Sequence, residues 1–443
     1  MFPRLQTTWT HIRTSLWALP LAMVFVGSAL AVTAVNIRLA PKGDPVWFLY
    51  SGSAGDAPEF LSAMMSSMIT MGTLVISITM VVLTLAAQQL GPRLIQSFTS
   101  DWRTQASIGL FVGTIAYLLL VLRTLYGGLD GVPNLAVTIG TALVLISVVV
   151  LVLFVHHLAR SIIADTVIER VGEALDGAAA RLRPDPRPES DPPLPPPALK
   201  AGAEIMLSRG GYVQAVDHDR LVTAAGEQDA VVELTIRAGH HGLPGGVYGW
   251  ISPPSALTSK FQEAFEESIL VGSGRTPVQD LEFSIRQLVE VAIRALSPGI
   301  NDPFTAIVAI DRLALSIARM MQRSAAPTAW KDKSGVIRVF GPASSFEGVM
   351  AAAFNQIRQS AETQPSVLIR LAETLGQLAA QASNDQPEVI ARHLFQVGAA
   401  GSRAIPDPCD LRALEDRIQD ALAHIPAVIV TQARRTAGAA DDL

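Results

Sequence analysis

The chain is 443 residues long, 49% hydrophobic and only 16% charged, richer in apolar residues than a water-soluble protein and long enough for about two or three domains. A formal net charge of -5 supplies no basic footprint, so nucleic acid is excluded as a partner on this reading. The single cysteine, Cys409, excludes an internal disulfide framework; it reads as a small buried hydrophobe and fits a C-terminal half in a reducing cytoplasm.

Four apolar stretches reach the roughly 20 residues that a helix needs to cross a bilayer. They run from about Leu16 to Ile37, Leu61 to Ala87, Ala106 to Tyr126 and Leu135 to His157, and predict four transmembrane helices with the lipid bilayer as partner. "SALAVTA" would suit a cleaved signal, but the apolar run there is longer than a signal core, which favours a span. Arg4, Arg13, Arg93, Arg103, Arg160 and Arg170 flank one set of ends, whereas Arg38 and Lys42 on the other side stand beside Asp44, Asp56, Glu59 and Asp130. The excess of positive charge predicts that both termini face the cytoplasm, an orientation that cleavage of the first span would not change for the rest.

The second span, "LSAMMSSMITMGTLVISITMVVLTLAAQQ", spaces its polar groups with a helical period. Ser62, Ser66, Thr70, Thr73, Ser77, Thr84 and Gln88 fall within an arc of about 80° when each residue turns the helix by about 100°. One reading makes the stripe the lining of a narrow path between several copies of the chain. The other has the hydroxyls bonded back to the preceding turn or across to a neighbouring helix.

The apolar cores hold no Asp or Glu, which argues against a proton-coupled pump. Arg123, near the outer end of the third span, is placed to snorkel to the interface. Gly109 and Gly113 form a GxxxG pair that suits close helix packing, within or between chains. His156 and His157 diverge by about 100° on their helix and read as an interfacial pair, not a metal site.

Beyond the spans, "SIIADTVIERVGEALDGAAARLR" predicts an amphipathic helix with Ile163, Val167, Val171 and Leu175 on one side. "RPDPRPESDPPLPPPALK" then reads as an extended proline-rich linker. Short strands follow at "GYVQAV", "AVVELTI" and "GVYGWI", with a helix from Asp217 to Ala225. "VVELTIRAGHHGLPGGVYGWI" has the cadence of a small barrel-sandwich module of lipoyl or biotinyl type, but no lysine occupies the hairpin tip for a covalent cofactor. His240 and His241 lack further ligands at metal-site spacing, so neither cofactor nor metal is expected.

Thr276, Pro277 and Gln279 spell a capping box and predict a helix start. Val278, Leu281, Ile285, Leu288, Val289, Ala292 and Leu296 define its buried face, and Glu282, Arg286, Glu290 and Arg294 a ladder of ion pairs. "LSPGINDPF" makes a corner: Pro298 ends the helix, Gly299 can take a positive φ, and Asp302 before Pro303 caps the next helix. Asp311, Arg312, Ser316 and Arg319 gather on one side of that second helix. The corner is explained by structure alone; the sharper alternative is a small-anion site at Arg275 and Thr276 facing Asn301.

"GRTPVQDLEFSIRQLVEVAIRALSPGINDPFTA", with "QQLGPRLIQSFTSDW" after the second span, resembles the domain-of-unknown-function 2254 family of predicted bacterial membrane proteins. The resemblance runs from the first span to about Met321 and implies a bacterial inner-membrane protein with an N-terminal membrane part and a cytoplasmic C-terminal part. It transfers no catalytic residues.

From about Ser345 on, "FEGVMAAAFNQIRQSA", "PSVLIRLAETLGQLAAQA", "PEVIARHLFQVGAAG" and "DLRALEDRIQDALAHI" predict helices, while "GVIRVFG" predicts one strand that pairs with the β module. The tail "GAADDL" reads as disordered. The expected fold class is an α-helical integral membrane domain (1–160) joined by a juxtamembrane helix and linker (161–200) to an α+β cytoplasmic domain. The latter comprises a small β-rich module (201–260) and a helical part (261–430), followed by the tail (431–443).

Enzyme motifs such as a nucleophile elbow, a phosphate loop or HExxH are absent, and no enzyme is predicted. The favoured function is a channel-like or transport-related homo-oligomer regulated by its cytoplasmic domain. The alternative is a membrane-anchored sensor or scaffold whose cytoplasmic domain binds a partner or a small anionic ligand.

Overall fold

The structure is a computed structural model that describes residues 15–37, 49–52, 55–89, 91, 98–99, 101–126, 133–161, 163–182, 202–323 and 326–436. The chain divides into two compact units, one covering Thr8–Thr166 and the other Val167–Leu443. Arg4, Arg13, Arg38, Lys42, Asp44, Arg93 and Asp130, the proline-rich linker and the "GAADDL" stretch lie outside the described residues.

In the first unit, α1 (Ala18–Asn36), α2 (Asp56–Gln89), α3 (Trp102–Tyr126) and α4 (Asn134–Ser161) are, among the described residues, the helices long and apolar enough to cross a membrane. Leu61, Met64, Met68 and Val75 of α2 pack with Phe111, Tyr117, Leu118 and Val121 of α3 and Phe154 of α4. Phe25, Val26, Val149, Val152 and Leu153 point outward, which suits a hydrocarbon solvent that makes no demand on apolar side chains. The buried Tyr117 hydroxyl donates to the Ala136 carbonyl at 2.8 Å, because an unpaired phenol in such a core would cost more than its hydrogen bond returns.

The GxxxG pair is used within the chain. A Cβ on Gly113 would stand 2.9 Å from the Met23 carbonyl oxygen, and one on Gly27 2.5 Å from that of Gly113, so α1 and α3 meet backbone to backbone. The two histidines part company: His157 pairs with Asp101, which also accepts from the Arg103 amide at 3.1 Å at the start of α3, while His156 is exposed.

The second unit opens with α5 (Ala164–Leu182), which buries Val167, Val171 and Leu175 as expected. Ile163 precedes this helix and is exposed, because the helical ladder of α4 ends at Ser161 and the periodicity restarts. Next come β1 (Ala203–Met206), β2 (Gly211–Val216), α6 (His218–Glu227), β3 (Val231–Leu234), β4 (His241–Gly242), β5 (Val247–Ser252), α7 (Ser259–Ser268) and β6 (Ile269–Gly272). After α8 (Leu281–Ala295) and α9 (Pro303–Met321), β7 (Ala329–Lys331) and β8 (Ile337–Phe340) complete a five-stranded sheet in the order β1-β5-β3-β8-β7. A three-stranded sheet runs β4-β2-β6.

The 335–341 segment thus joins the β module as predicted, with β8 parallel to β3. The barrel-sandwich expectation is corrected: β3 and β5 pair inside an open sheet while β4 joins the other sheet. Helices supply the cover, with Leu221 of α6 and Phe261 and Phe265 of α7 packing in one core with Val232, Ile251 and Val339. Asp217 caps α6 by accepting from the Arg220 amide, and Thr258 caps α7 by accepting from that of Phe261.

The capping box is also corrected. Helix α8 starts at Leu281, with buried Asp280 as the cap accepting from the Phe283 amide at 3.1 Å. Gln279 is engaged elsewhere, its amide accepting from the Val216 N–H at 2.9 Å and donating to the Val216 carbonyl at 3.1 Å, as a strand neighbour would. The Thr276 hydroxyl reaches the Gln214 carbonyl at 3.4 Å. Of the ion-pair ladder, Glu290 and Arg294 stand 3.7 Å apart, and Glu282 turns to Arg237. At the corner Asn301, not Gly299, takes the positive φ of 50°. Asp302 caps α9 as expected, accepting from the Thr305 amide at 3.1 Å.

Helices α10 (Phe346–Ser360), α11 (Pro365–Ala379), α12 (Gln386–Ala404) and α13 (Pro408–Leu422) match the predicted segments. A further helix, α14 (Ala427–Thr436), carries helical structure past residue 430. Three of the four residues in its "AVIV" start are β-branched, and the stretch carries no helical period by itself. Cys409 is exposed in the first turn of α13, not buried.

Candidate functional site

On α2 the polar stripe and the packing face are opposite one another. Leu61, Met64, Met68 and Val75 turn inward, and the arc centred on the stripe lies about 180° around the helix from them. Ser62 is half-buried, whereas Ser66, Thr70, Thr73, Ser77, Thr84 and Gln88 are exposed on the single chain. Thr70, Thr73 and Thr84 donate to the carbonyls of Ser66, Ile69 and Met80 at 3.0, 2.9 and 2.9 Å. Such back-bonding satisfies a hydroxyl in an apolar solvent while leaving its oxygen able to accept. The hydroxyls of Thr70, Thr73 and Thr84 thus bond back to the preceding turn, and the structure turns their shared face away from the unit's own core.

Arg275, Thr276 and Asn301 do not converge. Arg275 and Asn301 lie beyond opposite ends of α8, and 15 residues of helix span about 22 Å. Arg275 is committed to a two-pronged pair with Asp280, 2.6 Å from Nε to Oδ2 and 2.8 Å from the second guanidinium nitrogen to Oδ1. The Asn301 side chain accepts from Gln364 at 2.9 Å. His241 packs edge-on against Tyr212, with ring centroids 4.8 Å apart.

A cavity of about 220 Å³ opens instead at the junction of α5, β2, α6 and the segments around residues 237, 279, 327 and 343. Its aromatic wall is His218 stacked on Trp330, centroids 3.8 Å apart and planes 9° from parallel. Arg181 and Arg237 contribute guanidinium groups, while Leu182, Val216, Leu281 and Pro327 make it apolar elsewhere. Burial pushes the His218 imidazole down to about 4, partly opposed by the Asp217 carboxylate, so near neutral pH it is an uncharged hydrogen-bonding group. These residues span more than a hundred positions and share no spacing, which is why no motif pointed to them; the amphipathic β2-to-α6 pattern was the nearest signal.

His393, buried on α12, is likewise pushed down to about 4, by desolvation first and then by Arg358 and Arg392. A histidine that stays neutral when folded yet protonates near 6.5 when unfolded supports stability fully above that pH and loses it as pH falls toward 4. Acidification from pH 7 to 4 should thus lower stability by up to about 3 kcal/mol per histidine. Thermal unfolding followed by circular dichroism checks this, and His218→Asn should flatten part of the profile.

The profile of a family described as predicted membrane protein, DUF2254, matches residues 13–377. An uncharacterized protein of Mycobacterium tuberculosis is 29% identical over 424 residues, covering 93% of this chain and 80% of its own length. One of Mycobacterium bovis matches to the same extent, 29% over 424 residues with 93% and 80% covered. No solved structure matches the chain.

Proposed function

The chain belongs to the DUF2254 family of predicted membrane proteins, and from that premise we propose that it works as a channel-like or transport-related homo-oligomer of the bacterial inner membrane. The carrying observation is the inverted polarity of α2. A bundle surrounded by lipid alone gains by turning its polar side chains toward itself. Here Leu61, Met68 and Val75 occupy the packing face and the hydroxyls face outward, which favours a second copy of the chain against that face. Around a symmetry axis the same stripe from several copies lines a weakly polar path. Arg103, Arg160 and Arg170 favour an orientation with the C-terminal unit in the cytoplasm, where it regulates or assembles the ring.

Replacing Thr73 and Ser77 together with leucine is expected to cut ion flux through reconstituted vesicles at least about tenfold while the protein stays folded, since both side chains are exposed on the single chain. Thr73→Cys in a Cys409→Ser background should also form disulfide-linked dimers in the membrane. Unchanged flux together with a monomer in detergent would refute the proposal.

A second reading, a membrane-anchored sensor or scaffold, is favoured by a different observation: the cationic, partly aromatic cavity of the C-terminal unit.

A further inference from the structure

We propose that the cavity bounded by Arg181, His218, Arg237 and Trp330 binds a small monoanion with an apolar body, namely a compact aromatic or branched-chain carboxylate. This deepens the sensor reading and rests on it; it holds whether or not α2 lines a path.

Charge balance selects the ligand's charge. The described lining residues include two arginines and no Asp or Glu. Arg237 is already paired with Glu282, a carboxylate outside the lining, and also donates to the Ala238 carbonyl at 3.4 Å. Arg181 sits in an exposed last turn of α5 and makes no ion pair among the described residues. His218 is held neutral by its burial and adds a hydrogen-bonding edge without a second cation. Among the described residues one positive charge is left uncompensated, and it matches one negative charge. A di- or triphosphate needs several cations or a loop of backbone N–H groups aimed at it, and the described lining offers one guanidinium without an ion pair among the described residues and mostly side-chain carbon.

Shape and polarity select the rest. The stacked His218 and Trp330 rings present a flat wall, and Leu182, Val216, Leu281 and Pro327 complete an apolar enclosure. Gln279 spends both ends of its amide on Val216 and does not compete for the ligand. A volume of about 220 Å³ admits on the order of ten non-hydrogen atoms at protein packing density, below the usual range of nucleotide-sized sites. A guanidinium at one end of a small apolar enclosure is the arrangement that holds a carboxylate bidentately while its hydrocarbon part leaves water.

The test is calorimetric titration of the full chain in detergent with benzoate and isovalerate, against methyl benzoate, inorganic phosphate and ATP. Saturable binding of at least one carboxylate is expected, with no binding of the neutral ester. Arg181→Gln, an exposed substitution, should weaken it at least about tenfold, a loss typical of an ion-paired hydrogen bond. Ala343→Trp should fill the cavity and abolish binding. Carboxylate binding that both variants leave unchanged overturns the site. Phosphate or ATP binding that Ala343→Trp removes overturns the carboxylate class but spares the sensor reading. Failure of every anion to bind the intact chain overturns both.

Discussion

Gly27→Ala will destabilise the four-helix unit severely, whereas Gly72→Ala will be tolerated, although both glycines lie within apolar membrane helices. A methyl carbon at position 27 would sit 2.5 Å from the Gly113 carbonyl oxygen, 3.1 Å from its carbon and 3.4 Å from its Cα. All three obstacles are backbone, so no rotamer change relieves them; α1 and α3 must separate. Separation would break the contacts around Gly109 and Gly113, where a Cβ would lie 3.1 Å from Pro20 Cα and 2.9 Å from the Met23 oxygen. In lipid, tight packing of this kind is the main force between helices, because no hydrophobic gain compensates its loss. A cost of about 3 kcal/mol or more is expected, at the upper end of overpacking effects. At position 72 the nearest atom is the tip of Ile115, 3.6 Å away, an ordinary contact. Size-exclusion profiles and heat-induced aggregation in detergent compare the two variants directly. Equal stability would show that α1 and α3 do not approach so closely.

Asp176→Ala should cost about 3–5 kcal/mol in the C-terminal unit, the range for breaking a buried ion pair from one side. Arg312 is 4% exposed and reaches Asp176 at 2.8 Å and the Ser316 hydroxyl at 2.7 Å. Its Nε lies 3.0 Å from Glu169, within ion-pair distance but not aligned as a hydrogen bond. Arg319 adds a second contact to Asp176. Without Asp176, Arg312 keeps, among the described residues, only half-exposed Glu169 to balance a buried charge. Gly172 belongs to the same arrangement, since a Cβ there would stand 2.1 Å from the Arg312 Nε, and Gly172→Ala should push the guanidinium off its partner. Replacing Arg312 and Asp176 together with apolar residues should recover much of the loss, because the pair's own desolvation disappears with it. Urea unfolding of the three variants separates these outcomes.

The same cluster carries a pH signature apart from that of the histidines. Burial alone would raise the Asp176 carboxyl, but hydrogen bonds from Arg312 and Ser316 and the charges of Arg312 and Arg319 hold it below the usual carboxylate range. A depressed carboxylate supports stability above its unfolded value near 3.8 and loses it as pH falls further. Asp176→Asn should remove that last acid step and leave the one between pH 6.5 and 4 in place.

What could be read in the chain follows from how local each interaction is. Asp302 and Pro303 cap α9 as their order demands, since a cap depends on three successive residues. Thr276 and Gln279 formed an equally good local pattern and lost, because the β2 backbone at Gln214 and Val216 competed for the same side chains and Asp280 stood ready as the cap. The lipoyl-like cadence failed for a similar reason: strand spacing does not say which sheet a strand joins.

By themselves, the residues determined that four segments partition into lipid, because hydrophobicity over about 20 positions outweighs any later contact. They also determined that the hydroxyls of α2 share one face, since helical geometry alone aligns them. Only the tertiary structure decided that this face looks outward, that Gly27 meets Gly113, and that Arg312 reaches Asp176 across 136 positions. It alone also closed a cavity between Arg181 and Trp330. Each of these depends on which surfaces meet, and that choice is made by the summed burial of the whole chain, which no short stretch of residues contains.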